Sequence, residues 1–145
     1  MLDEHPGLID HVGWRLWRAA RAWKAEFDAR MAEAGFGWFT EARSGLLASV
    51  GAKGASQAAL AEALGVSKQA VQQMVDELVA EGAVRRVTDE RDARVRVVVL
   101  TPKGVAAARA ANEAKRAIEA DYRRRLGGAS LKALREALAA IAPER

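Results

Sequence analysis

Apolar side chains recur every three or four residues along the first quarter of the chain, a spacing typical of an amphipathic helix. Gly13 is the only helix-weakening residue between Leu8 and Ala34. At 1.5 Å per residue, a helix over this range is about 40 Å long, which exceeds the width of a domain of this size. We therefore expect part of it to pack against something outside the domain. The apolar stripe consists of Ile9, Val12, Leu16, Ala20, Trp23, Phe27 and Met31.

Three helices in the middle of the chain are predicted from the residues at their ends. Serine and threonine are favoured N-caps because their side-chain oxygens accept hydrogen bonds from free backbone N–H groups. Glycine is favoured just after the last turn. The pattern predicts helices from Thr40 to Val50, from Ser56 to Gly65 and from Ser67 to Glu81.

Two β-rich runs follow, Ala83–Thr88 and Arg94–Thr101, and the polar segment 89–93 between them predicts a hairpin. Valines at positions 95, 97 and 99 alternate with residues 94, 96 and 98, so we expect these three valines to form its apolar face.

Two helices are predicted after the hairpin. Thr101 is an N-cap and Pro102 suits the first helical position, so a helix restarts there and runs to Leu126, before two glycines. Ser130 is predicted to cap a final helix, whose apolar stripe is Leu131, Leu134, Leu138 and Ile141. The predicted fold is mainly α with a small β-hairpin wing.

The segment Gln57–Asp76 meets the requirements of a helix-turn-helix. Ala61 supplies the small residue where the two helices cross, and Gly65 accepts a positive φ at the turn. Amphipathic helix pairs that do not bind DNA share this pattern, so that alternative stays open. The expected apolar anchors between the helices are Leu60, Leu64, Val66, Val71 and Met74.

The second helix of this pair is predicted to expose Gln69, Gln72, Gln73 and Asp76, with Lys68 near its start. A glutamine side chain can donate and accept together at the N6 and N7 edge of adenine, so this face suits base reading in a major groove. A merely solvated surface is the alternative. The clustering on the face that a helix-turn-helix presents favours contact with bases.

Charge is divided unevenly between the helix-turn-helix and the hairpin. Residues 56–83 hold one basic and four acidic side chains, a net −3, whereas residues 84–104 hold six basic and three acidic ones, a net +3. Attraction to phosphates must therefore come from the wing. Arg86 and the arginines at the hairpin tip are DNA-binding candidates, since arginine can enter a narrow minor groove. A solvated charged turn is the alternative.

Composition sets wider limits on the class of protein. The 145 residues, half of them hydrophobic, suit one domain, and the net charge is +4. The chain has no cysteine, which excludes disulfides and thiolate metal sites. No apolar run is long enough to span a membrane, and residues 1–6 do not resemble a signal peptide. We expect a cytoplasmic protein without metal or cofactor.

The segment Asp89–Arg94 resembles the D-x-R-D-x-R wing signature of the MarR family of bacterial regulators, and Leu100–Gly104 is similar to that family's L-T-x-x-G. The likeness covers nearly the whole chain. It implies a single domain, 1–145, that forms an obligate homodimer through helices within 1–38 and 104–145. It also implies a winged helix-turn-helix, within 39–103, that binds a near-palindromic operator in double-stranded DNA.

The resemblance assigns DNA contacts as well. The residues implied are Gln69, Gln72 and Gln73 at the bases, Ser56, Gln57, Ser67 and Lys68 near phosphates, and Arg91 and Arg94 in the minor groove with Asp92 as positioning partner.

Many members of the family release DNA when a small phenolic or other aromatic compound binds between the dimerisation and DNA-binding regions. This implies a repressor with a small-molecule effector. Packing within the dimer interface is the alternative role for the aromatic residues concerned. The candidates near that junction are His11, Trp14, Trp17, Arg21, Trp38 and Phe39.

Two other functions were weighed against DNA binding. An enzyme is disfavoured because His5 and His11, the only histidines, would point to different helix faces, and no nucleophile–base set or glycine-rich phosphate loop is visible. An antirepressor-like protein-interaction module without operator binding is expected to have a wing stripped of arginines, and this wing keeps them.

Overall fold

The computed structural model describes residues 7–144, apart from the side chain of Ala42. Its helices and a small antiparallel sheet confirm the predicted fold class, mainly α with a β wing. The elements in chain order are α1 (Val12–Glu33), α2 (Glu41–Val50), β1 (Ala55–Ser56), α3 (Gln57–Leu64), α4 (Lys68–Ala80), β2 (Val84–Thr88), β3 (Arg96–Leu100), α5 (Pro102–Leu126) and α6 (Gly128–Ile141).

Helix α1 begins later than the hydrophobic pattern predicts. His11 has extended backbone, and its Nδ1 accepts a hydrogen bond from the Trp14 backbone N–H at 3.3 Å, so the helix starts at Val12. Leu8 and Ile9, predicted within the helix, lie before it and are 96% and 78% exposed. The 22-residue helix is therefore about 33 Å long.

The helix-turn-helix forms as its caps predict. The Ser56 side chain accepts from the Ala59 N–H at 3.1 Å, and the Ser67 side chain accepts from the Ala70 N–H at 3.0 Å. Gly65 adopts φ 66° and ψ 32° at the turn, a left-handed conformation that favours glycine.

One of the five predicted anchors between these helices was wrong. Val66 lies in the turn and is 41% exposed. Leu60 and Val71 are fully buried, and Leu64 and Met74 pack against the core while partly buried. Val75 and Leu78 complete the inner face of α4.

The sheet holds three strands in the order β1–β3–β2. Strand β1 was not predicted, because it is only two residues long; it pairs Ala55 with Val98. The predicted apolar face was also wrong, because Val98 is buried while Val95 is 36% exposed. Because residues 97–99 are all valine, the sequence does not show which of them face the core. The pairing of β3 with β2, which begins at the buried Val84, places Val98 on the core side of the sheet.

Helices α5 and α1 extend the core beyond the helix-turn-helix and the wing. Helix α5 has the predicted N-cap, since the Thr101 side chain accepts from the Gly104 N–H at 3.1 Å. Alanines and Ile118 on its inner face share the core with Phe27 and Met31 of α1. Helix α6 begins at Gly128, so Ser130 lies within the first turn and is not the predicted cap.

Apolar residues at both ends of the chain remain uncovered. On α6 only Leu131 is buried, and on the N-terminal half of α1 none is. Within residues 7–144, no helix is long and apolar enough to cross a membrane. The large hydrophobic side chains exposed on these two helices are Val12, Trp14, Trp17, Leu134, Leu138 and Ile141.

Candidate nucleic-acid interface

The outer face of α4 carries the predicted polar side chains. Val71, Val75 and Leu78 turn inward and are fully buried, which leaves the opposite side of the helix to solvent. Helix periodicity places residues three and four apart on that side together. The exposed residues there are Lys68, Gln69, Gln72, Gln73 and Asp76.

A salt bridge ties α4 to α2. The Arg43 guanidinium lies 3.2 Å from the Glu77 carboxylate and donates to the Trp38 backbone oxygen at 2.6 Å. The Arg43 side chain is only 24% exposed, so this contact is held between the helices.

The wing tip is built from two local aspartate turns. The Asp89 carboxylate accepts from the Arg91 backbone N–H at 2.8 Å, and the Asp92 carboxylate accepts from the Arg94 backbone N–H at 3.0 Å. Such side-chain bonds to the backbone two residues on stabilise tight turns. They shape the segment that carries both candidate minor-groove arginines.

Asp92 also holds the Arg94 side chain. The Arg94 Nε donates to Asp92 Oδ1 at 3.1 Å, and its terminal nitrogen donates to Oδ2 at 3.3 Å. The bonds from Arg94 lower the pKa of the Asp92 carboxyl below its ordinary value of 3.8. The Arg94 side chain is 91% exposed, so the guanidinium projects from the wing with its direction restrained.

Arg86 lies elsewhere than the wing charge predicts. Its Nε donates to Gln57 Oε1 at 2.8 Å, and its terminal nitrogen donates to Asp76 Oδ1 at 2.6 Å. With 24% of its side chain exposed, Arg86 is bound inside the protein between β2, α3 and α4. Arg86 is thus held by side chains of α3 and α4, and its contact with DNA stays a prediction.

Gln57, Asp76 and Arg86 border a cleft of about 550 Å³ between the helix-turn-helix and the wing. Arg96 was counted among the wing charges but not predicted as a site residue. It pairs with Thr88 in the sheet and therefore lies on the same face as Arg86, and strand alternation was the sequence signal for this. The cleft is lined by Ser56, Gln57, Ala58, Gln72, Asp76, Arg86, Arg96, Val97 and Val98.

The six candidate ligand-binding residues form two separate groups. Trp14 and Trp17 stack at a ring-centroid distance of 5.0 Å, and the Arg21 guanidinium lies 4.7 Å from the Trp17 ring centre. Trp38 and Phe39 instead contact each other at 5.8 Å at the far end of α1, where Phe39 is only 2% exposed.

Helix geometry separates Trp14 of the first group from the second group. Trp14 lies 13 residues before Phe27, the α1 partner of Phe39, which corresponds to about 20 Å along the axis. A surface cleft of about 660 Å³ at the start of α1 includes His11 and Trp14 only among the six. One chain alone therefore does not gather the six into a single pocket.

No group of three or more histidine or acidic side chains within residues 7–144 could hold a metal ion. The sequence predicts that His5 and His11 point to different helix faces, and His5 lies outside the described residues.

Comparison with known proteins identifies the same winged helix-turn-helix architecture. Residues 39–95, from the end of the α1–α2 loop to the wing, match the model of the MarR family. No curated protein sequence matches the chain. Among solved structures, a probable transcriptional regulator from Pseudomonas aeruginosa is 26% identical, with a TM-score of 0.73 over 91% of this chain and 97% of that one.

Two more distant structures share the fold. A mutant MarR from E. coli complexed with operator DNA is 21% identical, with a TM-score of 0.74 over 91% of this chain and 94% of that one. CouR from Rhodococcus jostii bound to p-coumaroyl-CoA is 23% identical, with a TM-score of 0.66 over 97% of this chain and 98% of that one. The winged helix-turn-helix segment of this chain thus matches the MarR family model, and the chain shares the fold of these structures.

Proposed function

We propose that this protein is a cytoplasmic, sequence-specific transcriptional regulator that binds double-stranded DNA as a homodimer. The observation that carries the proposal is the position of the exposed α4 glutamines beside a wing whose projecting arginine is held by Asp92. The match of residues 39–95 to the MarR family model supports the same function.

In this proposal α4 enters a major groove and the wing reaches the adjacent minor groove. Glutamines 69, 72 and 73 read base edges, where their amides can both donate and accept. Arg91 and Arg94 enter the minor groove, since its negative potential attracts guanidinium groups. Ser56, Gln57, Ser67 and Lys68 lie near backbone phosphates.

The uncovered apolar residues of α1 and α6 support dimerisation. Six large hydrophobic side chains on these helices are between 38% and 69% exposed, which an isolated domain of this size does not favour. Helices within 1–38 and 104–145 of two copies would cover one another. Two recognition helices would then face half-sites about one helical turn apart on a near-palindromic operator.

We further propose that the protein is a repressor released by a small aromatic compound. The structure of CouR with p-coumaroyl-CoA supports an aromatic effector within this fold. The stacked Trp14 and Trp17 with Arg21 offer aromatic faces and a cation, and Trp38 and Phe39 offer a second group near α5. Packing within the dimer remains the alternative role for these aromatics.

Selection of bound sites from random duplex DNA tests the function directly. The full-length protein should enrich a near-palindromic site, and a panel of phenolic compounds added to the bound complex should identify an effector by release. The variant Gln72→Ala should enrich a different base at one position of each half-site. Failure to enrich any sequence over scrambled competitor would exclude operator binding.

A further inference from the structure

Arg86 joins the three elements that surround the cleft between the wing and the helix-turn-helix. It lies on β2, 29 residues from Gln57 at the start of α3 and 10 residues from Asp76 on α4, and it donates to both. The two bonds are 2.8 and 2.6 Å long. Such short bonds to a guanidinium are typical of charge-assisted pairing, so the three side chains act as one unit.

The first bond fixes the orientation of the Gln57 amide. A guanidinium has donors and no acceptor, so the atom of Gln57 that faces Arg86 must be the oxygen. The Gln57 NH₂ group therefore points away from Arg86 and can donate to another acceptor. Since Gln57 borders the cleft, this donor is available to an acceptor there.

The second bond balances the charge of Asp76. This carboxylate is 56% exposed on the same face of α4 as the glutamines, where a bare negative charge would repel DNA phosphates. Three charged side chains line the cleft, namely Asp76, Arg86 and Arg96. The net charge of these three side chains is positive only because Arg86 offsets Asp76, which leaves the charge of Arg96 in excess.

We propose that Arg86 is a positioning residue, which directs the Gln57 NH₂ group and offsets Asp76 so that the cleft accepts one backbone phosphodiester of the bound duplex. Gln57 and Arg96 are the groups that contact this phosphate, and Arg86 acts through them without touching DNA. The inference rests on the proposed DNA-binding function and deepens it, because it separates the arginines that meet DNA from the one that prepares the site.

A charge-balanced double substitution distinguishes a positioning role from a phosphate contact. Duplex affinity would be measured against salt concentration for Arg86→Gln, Asp76→Asn and the double variant. Arg86→Gln should weaken binding by about tenfold or more, because it exposes the Asp76 charge. The double variant should recover the wild-type salt slope and most of the lost affinity, because the charge of the cleft is restored. The smaller loss that remains reflects the Gln57 amide, which Arg86 no longer orients.

Arg85→Gln is the matched control. Arg85 is the exposed neighbour of Arg86 on β2, so its substitution removes the same charge from the other face of the strand. It should weaken binding less than Arg86→Gln does. If Arg86 contacts phosphate itself, the double variant will keep the loss of affinity, and its salt slope will stay reduced by about one.

Gln57→Glu separates stability from binding. A carboxylate at position 57 keeps an acceptor for Arg86, so the midpoint temperature of thermal unfolding should stay unchanged or rise. The same carboxylate lacks the NH₂ donor and brings a negative charge to the cleft, so duplex affinity should fall about tenfold or more. Unchanged affinity would overturn the proposal. A wild-type protein without preference for any duplex would instead refute the proposed function, so the two failures are distinguishable.

Discussion

Gly104 lies directly against the backbone carbonyl of Ala83, so that a β-carbon at position 104 would stand 2.0 Å from that oxygen. Two hydrogen bonds also join the start of α5 to the end of α4. The Thr101 side chain donates to the Gly82 oxygen at 2.5 Å, and Lys103 Nζ donates to the Glu81 oxygen at 2.6 Å. Helix α5, which we propose for dimerisation, is thereby joined to the C-terminal end of α4.

Gly104→Ala should lower the free energy of unfolding, because the added methyl group forces α5 away from Ala83. Overpacking of this kind costs about 1–3 kcal/mol. Chemical denaturation would measure the change. Gly128→Ala is the control, since a β-carbon there meets nothing within 4 Å and alanine is favoured in a helix. Equal effects of the two substitutions would contradict the close approach.

Arg94→Ala should weaken operator binding by about 1–3 kcal/mol and reduce the salt slope. The Arg94 side chain is 91% exposed on the wing and restrained by Asp92, so its removal deletes the proposed DNA contact without disturbing the core. Gel-shift titration at several salt concentrations measures both quantities. Arg116→Ala, at an exposed position of α5, is the control for loss of one positive charge. An unaltered affinity for Arg94→Ala would refute the contact.

Asp92 should remain ionised well into the acid range. Its pKa is lowered in the folded wing by the bonds from Arg94, so the contribution of this pair is present above pH 3.8 and lost as pH falls through the folded pKa. Operator binding between about pH 5 and pH 8 should therefore show no titration of Asp92. NMR titration of the carboxyl group would measure the pKa, and Arg94→Ala should raise it. A pKa above 3.8 in the wild type would contradict the restraint.

The free protein should sediment at twice its chain mass of 15.6 kDa. Leu138→Glu should shift it toward the monomer, because Leu138 is 41% exposed on the apolar stripe of α6 and a charge there opposes burial. Analytical ultracentrifugation measures the mass. Ala140→Glu adds the same charge to a different side of α6 and should leave the dimer intact. A monomeric wild type would refute dimerisation.

The sequence alone determined the features that depend on neighbours three or four residues apart. The caps at Ser56, Ser67 and Thr101 form as predicted, because each requires only a side-chain oxygen and the N–H group three positions later. The left-handed turn at Gly65 and the exposed glutamine face of α4 follow from the same local rules. The fold class and the surface proposed to read bases were therefore predictable.

Only the tertiary structure decided the features that join distant parts of the chain. The partners of Arg86 come from two helices, whereas charge counting identified this arginine only as one of the basic residues of the wing. The buried face of β3 depends on its pairing with β2, since three adjacent valines are equally apolar on either side. Helix α1 begins at Val12 with Leu8 and Ile9 left exposed, because a hydrophobic pattern shows which residues favour burial but not whether a partner surface is present.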